Sequence, residues 1–174
     1  LAFNIRMHTK ALHAENALTQ WSRRERDLSA DSLVLFAGYS RIFTYFASNT
    51  AEIEALKGSG KLYLIEDPNI LSDILKHYDR YADFKLFTEQ AQTYSALLGD
   101  LYRLNAKLSM QLDPKHVDQL FHYSASDFEK HLRGNRTLEN LLQEKTWMDW
   151  WIVDQSTAAT KRLHQVIASL RQED

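Results

Sequence analysis

Apolar positions recur along this chain at steps of three and four. Met7, Ala11, Ala14, Leu18, Trp21, Glu25 and Leu28 trace one such stripe, interrupted only by Glu25, and predict a first amphipathic helix. Leu35, Tyr39, Ile42, Phe46, Asn49, Ile53 and Leu56 repeat the stepping, with Phe36 and Phe43 as a second apolar row. That predicts a second long helix, started by Ser29 or Asp31 as N-cap and stopped at Gly58, with Lys57 in its last turn. Asp67 and Pro68 read as N-cap and first helical residue, because proline fits the turn where its missing N–H costs nothing. The pattern then runs through Leu71, Ile74, Tyr78 and Tyr81, shifts phase near Asp83 and Phe84, and resumes from Phe87 to Leu112. This is one long helix or two joined by a kink near residue 83.

Asp113 and Pro114 repeat the start signal, ahead of a short helix carrying Val117, Leu120 and Phe121. Ser124 or Ser126 caps another short helix, which Gly134 ends. A last helix starts near Asn135 or Thr137 and carries Leu138, Leu141, Met148, Ile152, Ala159, Val166 and Leu170. No strand pattern of any length occurs. The expected fold is all-α: an up-down helical bundle of four long helices with short connecting helices, in one domain spanning 1–174. Leu62 to Ile65 is too short for a helix of its own and is expected to form a buried irregular crossing.

Composition supports long helices, since the chain has only 5 Gly and 2 Pro among 174 residues. A net charge of −2 without a basic block argues against nucleic acid as a partner. Zero Cys excludes disulfides, thiolate catalysis and Cys-based zinc sites. No apolar run approaches the ~20 residues needed to cross a bilayer.

Chemical motifs are sparse. Gly58-Ser59-Gly60-Lys61 suggests a phosphate loop, but Ala55 and Leu62 stand where that motif needs Gly and Ser or Thr. No Glu has a His three residues later, and no two His stand at i, i+4, so neither a di-iron nor a His-pair metal site is expected. Asp73 with His77, and Asp127 with His131, do stand at i, i+4 and read as surface ion pairs. No Gly-x-Ser-x-Gly elbow is present. No enzymatic activity and no cofactor are expected.

Two aromatic groups remain as candidate binding features. Trp147, Trp150 and Trp151 are the densest aromatic cluster of the chain and read as a candidate binding surface, since Trp is enriched at interaction hot spots. Phe36, Tyr39, Phe43 and Phe46 could line a pocket between helices, although such spacing is also that of plain core.

The stretch Glu54 to Ile65, followed by Leu71 and the Ile74 to Tyr78 region, resembles a recurrent junction in an uncharacterised family of small bacterial single-pass membrane proteins. Leu1-Ala2-Phe3-Asn4-Ile5 resembles the end of that family's N-terminal membrane helix. The chain departs from the family at Arg6-Met7-His8 and has Gly58 where Ser is usual. The resemblance implies a membrane helix upstream of residue 1, and a helical domain expected to be periplasmic or extracytoplasmic. Gly58 and Gly60 would turn the backbone, with Leu62, Leu64 and Ile65 closing one end of the bundle beside Asp67 and Pro68. The expected function is a non-enzymatic binding or scaffolding domain, with a protein partner or a second copy. The alternative is an extracytoplasmic ligand-sensing bundle of a signal-transduction protein, with a small molecule between its helices and a second membrane helix after Asp174.

Overall fold

The computed structural model describes residues 2–45, 50–109 and 122–170. Its order is α1 (Ala2–Ser22), α2 (Ala30–Tyr39), α3 (Ala51–Gly58), a 3-10 turn (Lys61–Leu64), α4 (Pro68–Asp79), α5 (Tyr81–Asn105), β1 (Leu108–Ser109), β2 (His122–Tyr123), α6 (Ala125–His131) and α7 (Arg136–Leu170). The protein is all-α. Its β elements are two-residue pieces in antiparallel register, Leu108 opposite Tyr123 and Ser109 opposite His122. The expected short helix through Val117, Leu120 and Phe121 lies outside the described residues.

α7 is the axis of the molecule. α1 runs antiparallel to it, since His8 meets Asp149 while Ser22 meets Glu139. α5 is also antiparallel to α7: Arg80 reaches Gln155, and Phe87 reaches Trp147. α2 returns along α1, with Phe36 against His13 and Lys10 over the Tyr39 ring. The main core lies towards the C-terminal ends of α1 and α5. There Leu18, Trp21, Leu33, Leu98, Tyr102, Phe128, Leu132, Leu138 and Leu142 pack together.

The element ends follow local chemistry. The Asp67 carboxylate accepts the N–H groups of Asn69 and Ile70, and Pro68 opens α4. Ser124 caps α6 by accepting the Asp127 N–H. Asn135 caps α7 by accepting the N–H groups of Thr137 and Leu138 at 2.9 and 3.1 Å. α1 ends earlier than its apolar stripe: Arg24 turns left-handed at φ 63°, and the Glu25 N–H reaches back to Gln20 O.

Three expectations are corrected. First, the second long helix does not form. α2 stops at Tyr39, and α3 starts only at Ala51. Ser40 ends α2, and its buried hydroxyl lies 2.9 Å from the Tyr102 hydroxyl. Arg41 then crosses α5 at Gly99, where any Cβ would stand 2.7 Å from the guanidinium. Second, of the two readings of the stretch after Asp67 it is two helices that form, broken at Arg80, and the second ends at Asn105, so that Leu108 lies in β1 instead of on its stripe. Third, the crossing at Leu62–Ile65 is not buried. It is mostly the 3-10 turn, with Tyr63 74% and Leu64 59% exposed. The backbone turn there belongs to Gly60, at φ 68°, while Gly58 is the last residue of α3.

Among the described residues, no helix is long and apolar enough to cross a membrane.

Candidate functional site

Two features gather polar chemistry: a sealed charge cluster in the middle of the molecule and an apolar pocket near the C-terminal end of α7.

The cluster begins with two helix stripes. His8, Ala11, Glu15, Leu18 and Ser22 form the buried face of α1. Leu138, Leu142, Lys145, Asp149, Ile152, Ser156 and Ala159 do the same on α7, at steps of four and three. Glu15, His8, Lys145 and Asp149 thus occupy core positions and are fully buried. The Lys145 ammonium has three protons and three acceptors: Glu15 Oε1 at 3.0 Å, Ile42 O at 2.9 Å and Asp149 Oδ2 at 2.6 Å. His8 donates from Nδ1 to Asp149 Oδ1 at 2.8 Å, and its Nε2 lies 2.8 Å from the Thr44 hydroxyl. The Ile42 carbonyl and the Thr44 hydroxyl come from the non-helical stretch after α2. An unbroken helix would have engaged that carbonyl in its own ladder.

The electrostatics follow from burial and pairing. Burial opposes the Lys145 charge, yet the facing Asp149 and Glu15 carboxyls outweigh it and raise its pKa. Burial pushes Asp149 up, but Lys145 and the His8 hydrogen bond pull harder, and the net direction is down. Burial lifts Glu15 well above the usual carboxylate range; Lys145 counters this and Asp149 reinforces it. Glu15 Oε2 has no partner, so it is the natural seat of a proton. Lys145 thus pairs most strongly with Asp149, and Glu15 is the carboxyl of the two that takes up a proton more readily.

A pH dependence follows. Because the folded-state pKa of Glu15 is raised, its stabilising contribution is complete below its ordinary value of 4.5 and is lost as pH rises through the folded value. Asp149 behaves oppositely: its contribution is present above 3.8 and is lost as pH falls through its lowered folded value. Urea unfolding midpoints measured across this range should fall with rising pH above 4.5. In Glu15→Gln that decline should flatten, because the amide keeps the acceptor for Lys145 and has no proton to lose. An unchanged slope in the Gln variant would refute a Glu15 origin.

The pocket is lined by Ile53 and Leu56 of α3, Ile65, then Asp73, Ile74, His77 and Tyr78 of α4, Tyr81, and Arg162, Leu163 and Val166 of α7, and measures about 450 Å³. That lies in the ordinary range for small-molecule sites. His77 Nε2 lies 3.1 Å from the Tyr81 hydroxyl. Burial, and then the nearby Arg162 charge, lower the His77 pKa. Arg162 Nε is buried without an acceptor. The junction resembling the membrane-protein family therefore supplies one wall of this pocket through Leu56 and Ile65, while Asp67 and Pro68 start the helix that supplies another.

The aromatic candidates lie elsewhere. Trp147 and Trp150 are half exposed and border a surface groove with Leu12, Asn16, Gln143 and Glu144. Trp151 is partly buried and stacks on Phe87, with centroids 3.8 Å apart. Phe36 packs against the main core, Tyr39 lies under Lys10, and Phe43 meets Tyr45 edge-on at 5.4 Å. None of these three lines the α3–α4–α7 pocket. Phe46 lies outside the described residues. Of the two expected ion pairs, His77 instead bonds Tyr81, and the Asp127 carboxylate takes the Lys107 N–H. Among the described residues, no cluster of three His, Cys, Asp or Glu side chains is placed to hold a metal.

The charge cluster was missed in the sequence, although a signal for it exists. Lys145 and Asp149 fall on the heptad stripe between Leu142 and Ile152, and His8 and Glu15 flank the alanines of α1 in the same way. Comparison of the chain with protein-family models, with curated proteins and with solved structures finds no match.

Proposed function

We propose that this chain is a non-enzymatic ligand-binding domain of a membrane-anchored bacterial protein, in which α1, α2, α5 and α7 form an up-down bundle. Its binding element is the pocket between α3, α4 and α7. The observation that carries this reading is the pocket itself: an apolar space of about 450 Å³ walled by three helices, with the Arg162 side chain in its lining. Membrane attachment rests on the resemblance of the junction and of residues 1–5, and on the exposed Phe3 in the first turn of α1. Sensing of an extracytoplasmic ligand is the role that joins a pocket to an anchor.

Calorimetric titration with 1-decanol tests the pocket. Saturable binding is expected in the wild-type chain and should vanish in Ile74→Trp, whose indole would fill the space. If neither 1-decanol nor its carboxylate or ammonium analogues bind, the ligand-binding reading fails. Fractionation of the full-length protein tests the anchor, which predicts recovery with membranes that survives a high-salt wash.

A second reading is self-association through Trp147 and Trp150. It is favoured by the exposure, 51% and 53%, of two large aromatics three residues apart on one face of α7. Sedimentation velocity of the wild type and of Trp147→Ala/Trp150→Ala decides it, with a monomeric wild type as the refuting result.

A further inference from the structure

We infer that the α3–α4–α7 pocket takes a free linear monocarboxylate, its alkyl chain among Ile53, Leu56, Ile65, Ile74 and Val166 and its carboxylate on Arg162. This rests on the ligand-binding reading above and names the ligand class.

The walls set the body of the ligand. Three elements present branched aliphatic side chains to one space, and Tyr78 and Leu163 complete it. A flexible alkyl chain fills such a lining without demanding further hydrogen bonds, and each buried methylene contributes about 0.8 kcal/mol.

The head group follows from charge. Arg162 enters the lining from α7 and is its Lys or Arg side chain. A guanidinium fork matches the two oxygens of a carboxylate, and this geometry is among the stronger hydrogen-bonded pairs in proteins. His77, bonded to the Tyr81 hydroxyl, stands close enough to feel the Arg162 charge. Its depressed basicity leaves Arg162 as the pocket's cation at neutral pH.

Asp73 narrows the class further. It is the acidic residue of the lining, and its side chain is exposed. Water screens its charge from a single carboxylate on Arg162. A second anionic group on the ligand would face Asp73 with no second cation in the lining. A dicarboxylate or a doubly charged phosphate monoester is therefore disfavoured. A cationic head would meet Arg162 and be repelled.

The test titrates decanoate, 1-decanol and decylammonium into the wild-type chain and into Arg162→Gln, with circular dichroism confirming the fold. Decanoate should bind about tenfold or more tightly than 1-decanol, the effect of one hydrogen-bonded charge pair. In Arg162→Gln that advantage should disappear, while 1-decanol still binds as in the wild type. Retained 1-decanol binding shows that the variant pocket is intact, so a loss confined to decanoate reports the head group. Equal affinity for decanoate and 1-decanol in the wild type overturns the carboxylate assignment and leaves the pocket standing. Tighter binding of decylammonium overturns it as well. Failure of all three ligands removes the pocket reading together with this one. An anionic lipid presents the same chemistry from a bilayer. Co-sedimentation with phosphatidylglycerol vesicles, without binding of decanoate, overturns a free acid as the ligand.

Discussion

Replacing Lys145 with Met is expected to lower the unfolding free energy by about 3–5 kcal/mol, because it removes one partner of a buried ion pair and leaves the other. The methionine has nearly the length of the lysine, so little volume is lost. What is lost is the ammonium that three buried acceptors share. Asp149 keeps His8 and the neighbouring Glu15, the two carboxyls lose the cation between them, and the Ile42 carbonyl keeps only a long contact of 3.4 Å from the Ser95 hydroxyl. Asp149 then binds a proton in the folded state far more readily. Stability of the variant should therefore recover partly at low pH, where the wild type weakens. Urea unfolding near neutral pH and again below the ordinary carboxylate range checks both statements. A loss under about 1 kcal/mol would mean that the cluster is hydrated and behaves like a surface pair.

The same argument separates what the cluster contributes from what its disruption costs. Changing His8, Glu15, Lys145 and Asp149 together to aliphatic residues of similar size removes every charge at once, leaving only the neutral Ile42 carbonyl and Thr44 hydroxyl without these partners, and should cost less than Lys145→Met alone. The cluster's role is then one of register. An ammonium that must meet Glu15, Ile42 and Asp149 at once admits one axial position of α1 against α7, and one path for residues 40–45. We expect the aliphatic variant to stay folded but to exchange amide hydrogens faster in α2 and in the residues that follow it.

Phe128→Ala is expected to destabilise the protein by about 3–5 kcal/mol, in the range for deleting a buried phenyl ring. Phe128 is fully buried, with its ring centroid 5.0 Å from that of Tyr102 and 5.5 Å from that of Tyr123. α6 has seven residues and is too short to hold its own shape, so this ring and Leu132 are its attachment to the core. The cavity would open beside Tyr102, whose hydroxyl is bonded to Ser40 where α2 ends. Loss should thus show as a lower denaturant midpoint and as weaker ordering of the Tyr102 and Tyr123 rings. Phe128→Leu, which keeps most of the volume, should recover more than half of the difference.

The limits of sequence reading fall at particular residues. Asp67-Pro68, Ser124 and Asn135 mark helix starts because capping is local: a side-chain oxygen meets an N–H two or three residues on. The helix expected through Ile42 and Phe46 failed for the opposite reason. Its apolar spacing satisfies a helix, but the Ile42 carbonyl has a competing donor in Lys145, 103 residues away, and the Thr44 hydroxyl has a partner in His8 Nε2, 36 residues away. The candidate sites divide in the same way. Asp149 and Lys145 are an ordinary i, i+4 pair by sequence, as suited to a solvated face as to a core. Only Glu15, 130 residues from Lys145, makes them interior. The pocket was not legible, since the candidate pocket residues Phe36, Tyr39 and Phe43 lie elsewhere. Leu56 and Ile65 read as helix stripe and junction packing, and Arg162 sits in a helical turn with nothing to distinguish it.

By itself the sequence determined the all-α class and the helix caps at Asp67, Ser124 and Asn135. Each rests on spacing within a few residues, where backbone geometry alone decides which side chains share a face. Tertiary structure alone decided that α2 stops at Tyr39, that four ionisable side chains are sealed between α1 and α7, and that Arg162 faces an apolar pocket. Those outcomes depend on partners far apart in the chain, because a buried charge or carbonyl is tolerable only where another element brings its complement within hydrogen-bond reach.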